Sequence, residues 1–301
     1  MDVKIGWIGT GVMGASMCMH ILERGIPVFV HNRTRRKAHG LLQNGAEWCN
    51  TPEDVARQSN IIFTIVGYPS DVNDVILGKQ GVLAGAAEGS VIVDMTTSEP
   101  SLAGEIYDAA LTRSVGSVDA PVSGGDVGAR EGRLAIMAGG DRNVYERVLP
   151  FFEMMGGDIA YMGGPGMGQH TKMSNQILIA STMVGVVESL MYAYRAGLDL
   201  SGVIDVIGKG AASSWSINNL GRRIVNRDFD PGFFIKHFIK DMGIALAEAG
   251  RMKIALPGLA LAEQFYRSAA ALGMEDMGTQ ALYRVLENMN VNSADPDCPG
   301  E

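Results

Sequence analysis

Lys4-Ile5-Gly6-Trp7-Ile8-Gly9-Thr10-Gly11-Val12-Met13-Gly14 stands near the start of the chain and decides how the first half folds. The apolar run over 3–8 predicts a strand buried on both faces, and the periodicity over 12–24 predicts a helix. Between them lie three glycines at the spacing Gly9-x-Gly11-x-x-Gly14. In that context the first glycine makes a tight turn and the second lets backbone approach a pyrophosphate. The third lets helix and strand pack closely. Free N–H groups and the positive dipole end of the helix then face the phosphates. Gly9, Gly11, Val12, Met13 and Gly14 are expected to cradle a dinucleotide. A ligand-free glycine turn is the competing reading, because 39 of the 301 residues are glycine.

The next strand, over 27–31, runs into His31-Asn32-Arg33-Thr34-Arg35-Arg36-Lys37. A site for NAD would carry a carboxylate at this point to hold the ribose. Here four cations stand instead, and a guanidinium matches phosphate in charge and geometry. Arg33, with Asn32 and Thr34 helping, is expected to hold the 2′-phosphate of NADP, with NAD less favoured. A solvated basic helix start is the alternative.

Further strands are expected over 60–66, 90–94 and 117–119, with helices over 35–43, 52–57, 71–77 and 98–112. This alternation implies a parallel sheet covered by helices on both sides. Ligands bind at the carboxyl ends of such strands. That places Val66, Tyr68, Pro69 and Thr96 on the nicotinamide side, unless they are ordinary turn residues. Strands over 134–138 and 158–161, with a helix over 142–154, complete the first half.

After Gly163-Gly164-Pro165-Gly166-Met167-Gly168 the pattern becomes helical, with no convincing strand to about residue 290 and glycines at 197, 208, 221, 250 and 273 where helices can end. The fold class is therefore a Rossmann-type, doubly wound α/β sheet followed by an all-α domain. The divisions are 1–163 for dinucleotide binding, 164–291 for substrate binding and oligomerisation, and 292–301 as a disordered tail.

Net charge is −8, which argues against nucleic acid as the main partner. Apolar residues make up 47% and charged residues 19%, as in a folded protein with large cores. Cys18, Cys49 and Cys298 are odd in number and far apart, so neither a disulfide framework nor a metal site is implied. The first residues lack the layout of a signal peptide. The most apolar stretch, 177–187, falls short of the roughly 20 residues a span needs and reads as a buried helix. A cytoplasmic protein without a membrane partner is expected.

Two segments carry candidate chemistry. Asp119-Ala120-Pro121-Val122-Ser123-Gly124-Gly125-Asp126 follows a strand. Successive glycines there can aim backbone N–H groups at an anion, and Ser123 adds a hydroxyl. Ser123, Gly124 and Gly125 thus form either a seat for a substrate carboxylate or a flexible loop. In Gln169-His170-Thr171-Lys172-Met173-Ser174-Asn175-Gln176, Lys172 and Asn175 lie one turn apart and share a helix face. A lysine desolvated in an interdomain cleft near a helix start has a lowered pKa and can exchange a proton near neutral pH. A solvent-exposed lysine is the other reading.

These motifs, taken in order, resemble the β-hydroxyacid dehydrogenase family. That family includes 3-hydroxyisobutyrate dehydrogenase, tartronate semialdehyde reductase and the glyoxylate and succinic semialdehyde reductases. The resemblance runs from Val3 to about Asn290. It rests on Gly9–Gly14 continuing to Met17, on the stretch DAPVSGGDVGAREGRLAIMAGG over 119–140, on GQHTKMSNQ over 168–176 and on Lys240-Asp241-Met242. It implies that Lys172 is the general acid and base and that Asn175 orients the substrate. It also implies that Ser123, Gly124 and Gly125 hold the carboxylate, and that Thr96 and Lys240 contact the cofactor. The Asn-Arg-Thr context of Arg33 is closer to the NADPH-using reductases. Trp215-Ser216-Ile217-Asn218-Asn219 stands where the family's helical domain approaches the substrate. Met242 replaces the family's leucine conservatively.

The expected activity is reversible, NADPH-dependent reduction of a small carboxylate-bearing aldehyde to a hydroxy acid. Alternatives are 3-hydroxyisobutyrate oxidation with NAD(P) and, in another class, a non-catalytic NADPH-binding scaffold. A phosphogluconate-type enzyme needs a second phosphate surface that the later half does not display. Imine reductases lack the lysine at position 172. Eighteen methionines and an apolar helical half suggest subunit contacts, and the resemblance implies a homodimer or homotetramer.

Overall fold

The computed structural model describes residues 3–290. The tail expected over 292–301 and Cys298 lie outside the described residues. Two compact units are present, one through Met173 and the other from Ser174. Their division falls ten residues beyond the expected boundary at 163, because one helix runs uninterrupted from Met167 to Arg195.

The first unit contains strands β1 (Ile5–Ile8), β2 (Val28–His31), β3 (Glu47–Trp48), β4 (Ile61–Thr64), β5 (Val91–Asp94), β6 (Gly116–Asp119), β7 (Val122–Ser123), β8 (Leu134–Gly140) and β9 (Gly156–Gly163). Its helices are α1 (Val12–Leu22), α2 (His39–Gln43), α3 (Pro52–Gln58), α4 (Pro69–Leu77), α5 (Val82–Gly85), α6 (Pro100–Leu111), α7 (Gly125–Glu131) and α8 (Arg142–Phe152). Helix α9 (Met167–Arg195) begins here and continues into the second unit.

Strand order is β3-β2-β1-β4-β5-β6-β8-β7, with β9 against β8. The first six strands are parallel. Strand β8 reverses, pairing antiparallel with β6 and β7. The sheet is therefore mixed at one end, where the sequence suggested a parallel sheet throughout.

Both faces of the parallel strands are covered, which is why they read as continuous apolar runs. Ile5, Trp7, Phe63 and Val93 face one core with Met17, Cys18 and Ile21 of α1 and Phe151 and Phe152 of α8. Trp7 stacks on Phe63 at 5.3 Å, and Phe151 and Phe152 meet that ring edge-on at 6.3 Å. Ile8, Ile62 and Ile92 face the other core with Val55, Val72, Ile76, Leu102 and Ile106. Each such fully buried side chain contributes about 1.5–3 kcal/mol.

The second unit adds α10 (Leu200–Ile207), α11 (Arg222–Val225), α12 (Ile235–Arg251), α13 (Pro257–Ala271) and α14 (Leu282–Met289). Phe238 of α12 meets Tyr266 of α13 edge-on at 5.0 Å, and the Tyr266 hydroxyl donates to the Thr279 carbonyl. Strand structure among its described residues is a single bridge, Phe234 to Gly278. Gly197 and Gly273 follow helix ends with positive φ. Gly221 instead ends a π-helical turn (Ser216–Gly221) that passes straight into α11.

The expectation of a buried helix over 177–187 is corrected by α9. The helix has 29 residues, is long and apolar enough by length and composition alone to cross a membrane, and leaves much of its apolar stretch unburied. Ala180, Met183, Val187 and Leu190 form one buried stripe. Leu178, Tyr192 and Tyr194 are exposed.

Candidate active site

Register places five strand ends in one row, His31–Ile8–Thr64–Asp94–Asp119. Gly9, Asn32, Ile65, Met95 and Ala120 therefore leave the sheet side by side. The candidate cofactor residues of the first unit all follow these ends.

Gly9 has φ +98, and a Cβ there would lie 2.0 Å from the Ile65 carbonyl oxygen. At Gly14 a Cβ would lie 2.1 Å from the Gly9 oxygen. These two glycines are needed for turn and packing. Gly11 differs, since a Cβ at that position meets open space. It is the N-cap of α1, and no side chain caps that helix. An uncapped helix start beside an open position accommodates a pyrophosphate. The residues fit a dinucleotide.

Asn32 is committed to the scaffold. Its Oδ1 accepts from Thr10 N at 3.0 Å and its Nδ2 donates to the Thr34 carbonyl at 2.9 Å. It thus locks the glycine loop to the loop after β2. Arg33 projects outward, its side chain 91% exposed and its Nη1 3.7 Å from Asp71 Oδ1. Asp71 in turn accepts from the Tyr68 N–H at 3.1 Å. Pro69 begins α4, and Tyr68 precedes it on the surface.

Beneath the row runs a buried polar network. Asp94 Oδ1 accepts from Thr64 Oγ1 at 2.8 Å and from Thr96 N at 3.1 Å. Thr96 Oγ1 accepts from Val66 N at 3.0 Å. The Thr96 carbonyl accepts from Gln169 Nε2 at 2.7 Å, and Gln169 Oε1 accepts from Ser98 N at 2.9 Å. Gly166 N donates to Asp119 Oδ1 and Gln169 N to Asp119 Oδ2, both at 2.8 Å. Burial pushes the Asp119 carboxyl up to about 6, while the two backbone donors pull it down and the Asp94 charge adds to the rise.

Lys172 lies one turn beyond Gln169 on α9 and is 6% exposed. Ser123 ends β7, and Gly124 (φ +129) and Gly125 (φ +63) lead into α7, so the expected loop is half strand and half helix. In the second unit, Asn175 Nδ2 donates to Gln176 Oε1 at 2.8 Å, and Gln176 Nε2 donates to Asp241 Oδ2 at 2.6 Å. The Lys240 ammonium stands 3.0 Å from Asp241 Oδ1. One buried carboxylate thus holds both Lys240 and, through Gln176, Asn175. Trp215 is exposed before the π-helical turn, while Ser216 and Ile217 are buried. Among the described residues, no group of three or more His, Cys, Asp or Glu is placed to hold a metal.

Residues 4–163 match the family model for the NAD binding domain of 6-phosphogluconate dehydrogenase. Residues 166–286 match that for the NAD-binding domain of NADP-dependent 3-hydroxyisobutyrate dehydrogenase. The chain belongs to the β-hydroxyacid dehydrogenase family. A probable 3-hydroxyisobutyrate dehydrogenase-like 1, mitochondrial, of Arabidopsis thaliana is 55% identical, with 96% of this chain and 86% of that protein covered. The 2-hydroxy-3-oxopropionate reductase of Escherichia coli is 37% identical over 95% and 98% of the two chains. A 3-hydroxyisobutyrate dehydrogenase structure from Mycobacterium tuberculosis, with L-serine, superposes with a TM-score of 0.87. It is 27% identical, with 95% and 99% of the two chains covered. This family member is an NAD(P)-dependent oxidoreductase acting on the CH–OH group of hydroxy acids.

Reading the residues alone did not single out Asp119, Gln169, Gln176 or Asp241 for the roles they play here. Each is a buried polar side chain within a motif quoted for its neighbours. A lone acid or amide reads as ordinary solvated surface until burial is known.

Proposed function

We propose that the protein reduces a small carboxylate-bearing aldehyde to its hydroxy acid with NADPH, and that Lys172 delivers the proton. The carrying observation is a lysine only 6% exposed, one turn from a helix start bonded to the carboxyl ends of β5 and β6. An ordinary helix-start lysine would extend into water. Ser123 and the backbone of Gly124 and Gly125 seat the carboxylate, and Asn175 orients the substrate. Bound NADPH supplies the hydride. Lys172 protonates the oxygen on which negative charge develops, and in the oxidative direction the neutral amine takes the hydroxyl proton.

A panel of two- to five-carbon semialdehydes assayed with NADPH by absorbance tests this. The 2-hydroxy-3-oxopropionate reductase of E. coli makes that substrate the first to try. Lys172→Ala should lose roughly 10²–10⁴ in turnover, as expected for a missing general acid, while still binding NADPH by fluorescence titration. Turnover at the wild-type rate in that variant defeats the role. Oxidation of 3-hydroxyisobutyrate is the second reading, supported by the second family model and the Arabidopsis relative. Initial rates in both directions rank the two. NADPH binding with no turnover in either direction leaves the scaffold reading.

Preference for NADPH rests on Arg33, the exposed guanidinium on the loop after β2. One charge-assisted contact is worth about 1.5–3 kcal/mol, so the ratio of kcat/KM for NADPH over NADH should exceed about 10. Arg33→Ala should bring that ratio down by roughly 10-fold or more. A ratio near one in the wild type removes the assignment. Exposed Leu178 and Tyr192 on α9 support a second copy of this chain as partner.

A further inference from the structure

We infer that Asp119 and Gln169 are positioning residues, which pin the lysine-bearing helix to the sheet so that Lys172 acts from a fixed place. The inference rests on the role proposed for Lys172.

A helix start leaves several backbone N–H groups without partners, and the usual remedy is a Ser, Thr or Asp at the N-cap itself. Helix α9 starts at Met167 after Gly166, which has φ +82 and no side chain to offer. The cap comes from 47 residues upstream, where Asp119 spends one carboxylate oxygen on Gly166 N and the other on Gln169 N. A local cap satisfies the same donors and moves with its helix. A cap delivered from the end of β6 ties the helix to the strand.

Gln169 adds a second tie. Both ends of its buried amide are engaged by the loop after β5, through the Ser98 N–H and the Thr96 carbonyl. Gln169 and Lys172 are three residues apart, so they lie on neighbouring parts of one helix face.

The fit is tight. A Cβ at Gly168 would fall 2.3 Å from the Met137 oxygen and 2.6 Å from the Asp119 oxygen, and one at Gly139 would fall 2.7 Å from Gly168 N. Helix start and strand ends therefore touch backbone to backbone. Asp119 is also only four residues before Ser123, so one side chain links the proton donor's helix to the root of the proposed carboxylate seat. Burying this carboxylate works against its charge. It is a costly way to cap a helix unless the tie to the sheet matters.

The test is a double-mutant cycle in the NADPH assay, with the semialdehyde that the wild type reduces fastest. Asp119→Asn keeps the volume but turns an NH2 group toward one of the two donors. Alone it should lower kcat by roughly 10–100-fold, the scale of a misplacement near 1 Å, with the NADPH Kd unchanged. In the Lys172→Ala background it should change kcat by no more than about twofold, because a residue acting through the lysine has nothing left to position. Wild-type kcat in Asp119→Asn, or the same loss in both backgrounds, overturns the inference. Should Asp119→Asn not fold, Gln169→Glu takes its place in the same cycle, since it sets an oxygen against the Thr96 carbonyl. Failure of the lysine assignment would appear separately, as full activity in Lys172→Ala alone.

Discussion

At Asp119 burial and hydrogen bonding pull against one another, and burial prevails, leaving the carboxyl to titrate near 6 rather than in the ordinary carboxylate range. An acid whose pKa is raised by folding adds stability below its unfolded value and loses it as pH rises through the folded value. The window is thus between about 4 and about 6. Asp119→Asn has no such proton to lose. The melting temperature of the variant minus that of the wild type should therefore increase from pH 5 to pH 7, and a flat difference would show that Asp119 titrates normally. The residues that sequence exposes most readily are those with a spacing rule. Gly9, Gly11 and Gly14 announced a turn, and Lys172 with Asn175 announced a shared face. Asp119 obeys no local rule, since its partners lie 47 and 50 residues away. Asn32 was legible as a polar residue beside Arg33 but not as the brace of the glycine loop.

Among the elements, periodicity located the buried apolar strands β1, β2, β4 and β5 to within two residues. It missed β3 and β7, each only two residues long, because two residues carry no period. Helix α7 was hidden by Gly125 and Gly128, which are poor helix formers. Contacts outside the helix hold it, including His20 Nε2 2.8 Å from the Ala129 oxygen. Glycines also divide by what surrounds them. Gly168→Ala should destabilise by about 1–3 kcal/mol or more, as overpacking does, and lower kcat with it. Gly104→Ala, in α6 where a Cβ meets nothing within 4 Å, should be neutral or stabilising by up to about 1 kcal/mol. Chemical denaturation of the pair checks both, and equal effects would contradict the packing described.

For the whole molecule, the division into a sheet unit and a helical unit was visible as a change of texture after Gly163. The division between compact units after Met173 carries no such mark, because α9 runs across it as one helical pattern. Nor could hydropathy show that α9 leaves Leu178 70% exposed. Leu178→Glu should fold like the wild type yet lower the assembled mass measured by light scattering toward that of one chain. A wild type already of single-chain mass would rule out a second copy as the partner of this face. The tryptophans offer a further means of observation. Trp7 is sealed against Phe63 in the sheet unit, whereas Trp215 faces water in the helical one. Emission from Trp7 should be blue-shifted and shielded from iodide, and that of Trp215 red-shifted and readily quenched. Single-tryptophan versions would give each half its own optical signal, so that melting of one can be timed against melting of the other without any added label.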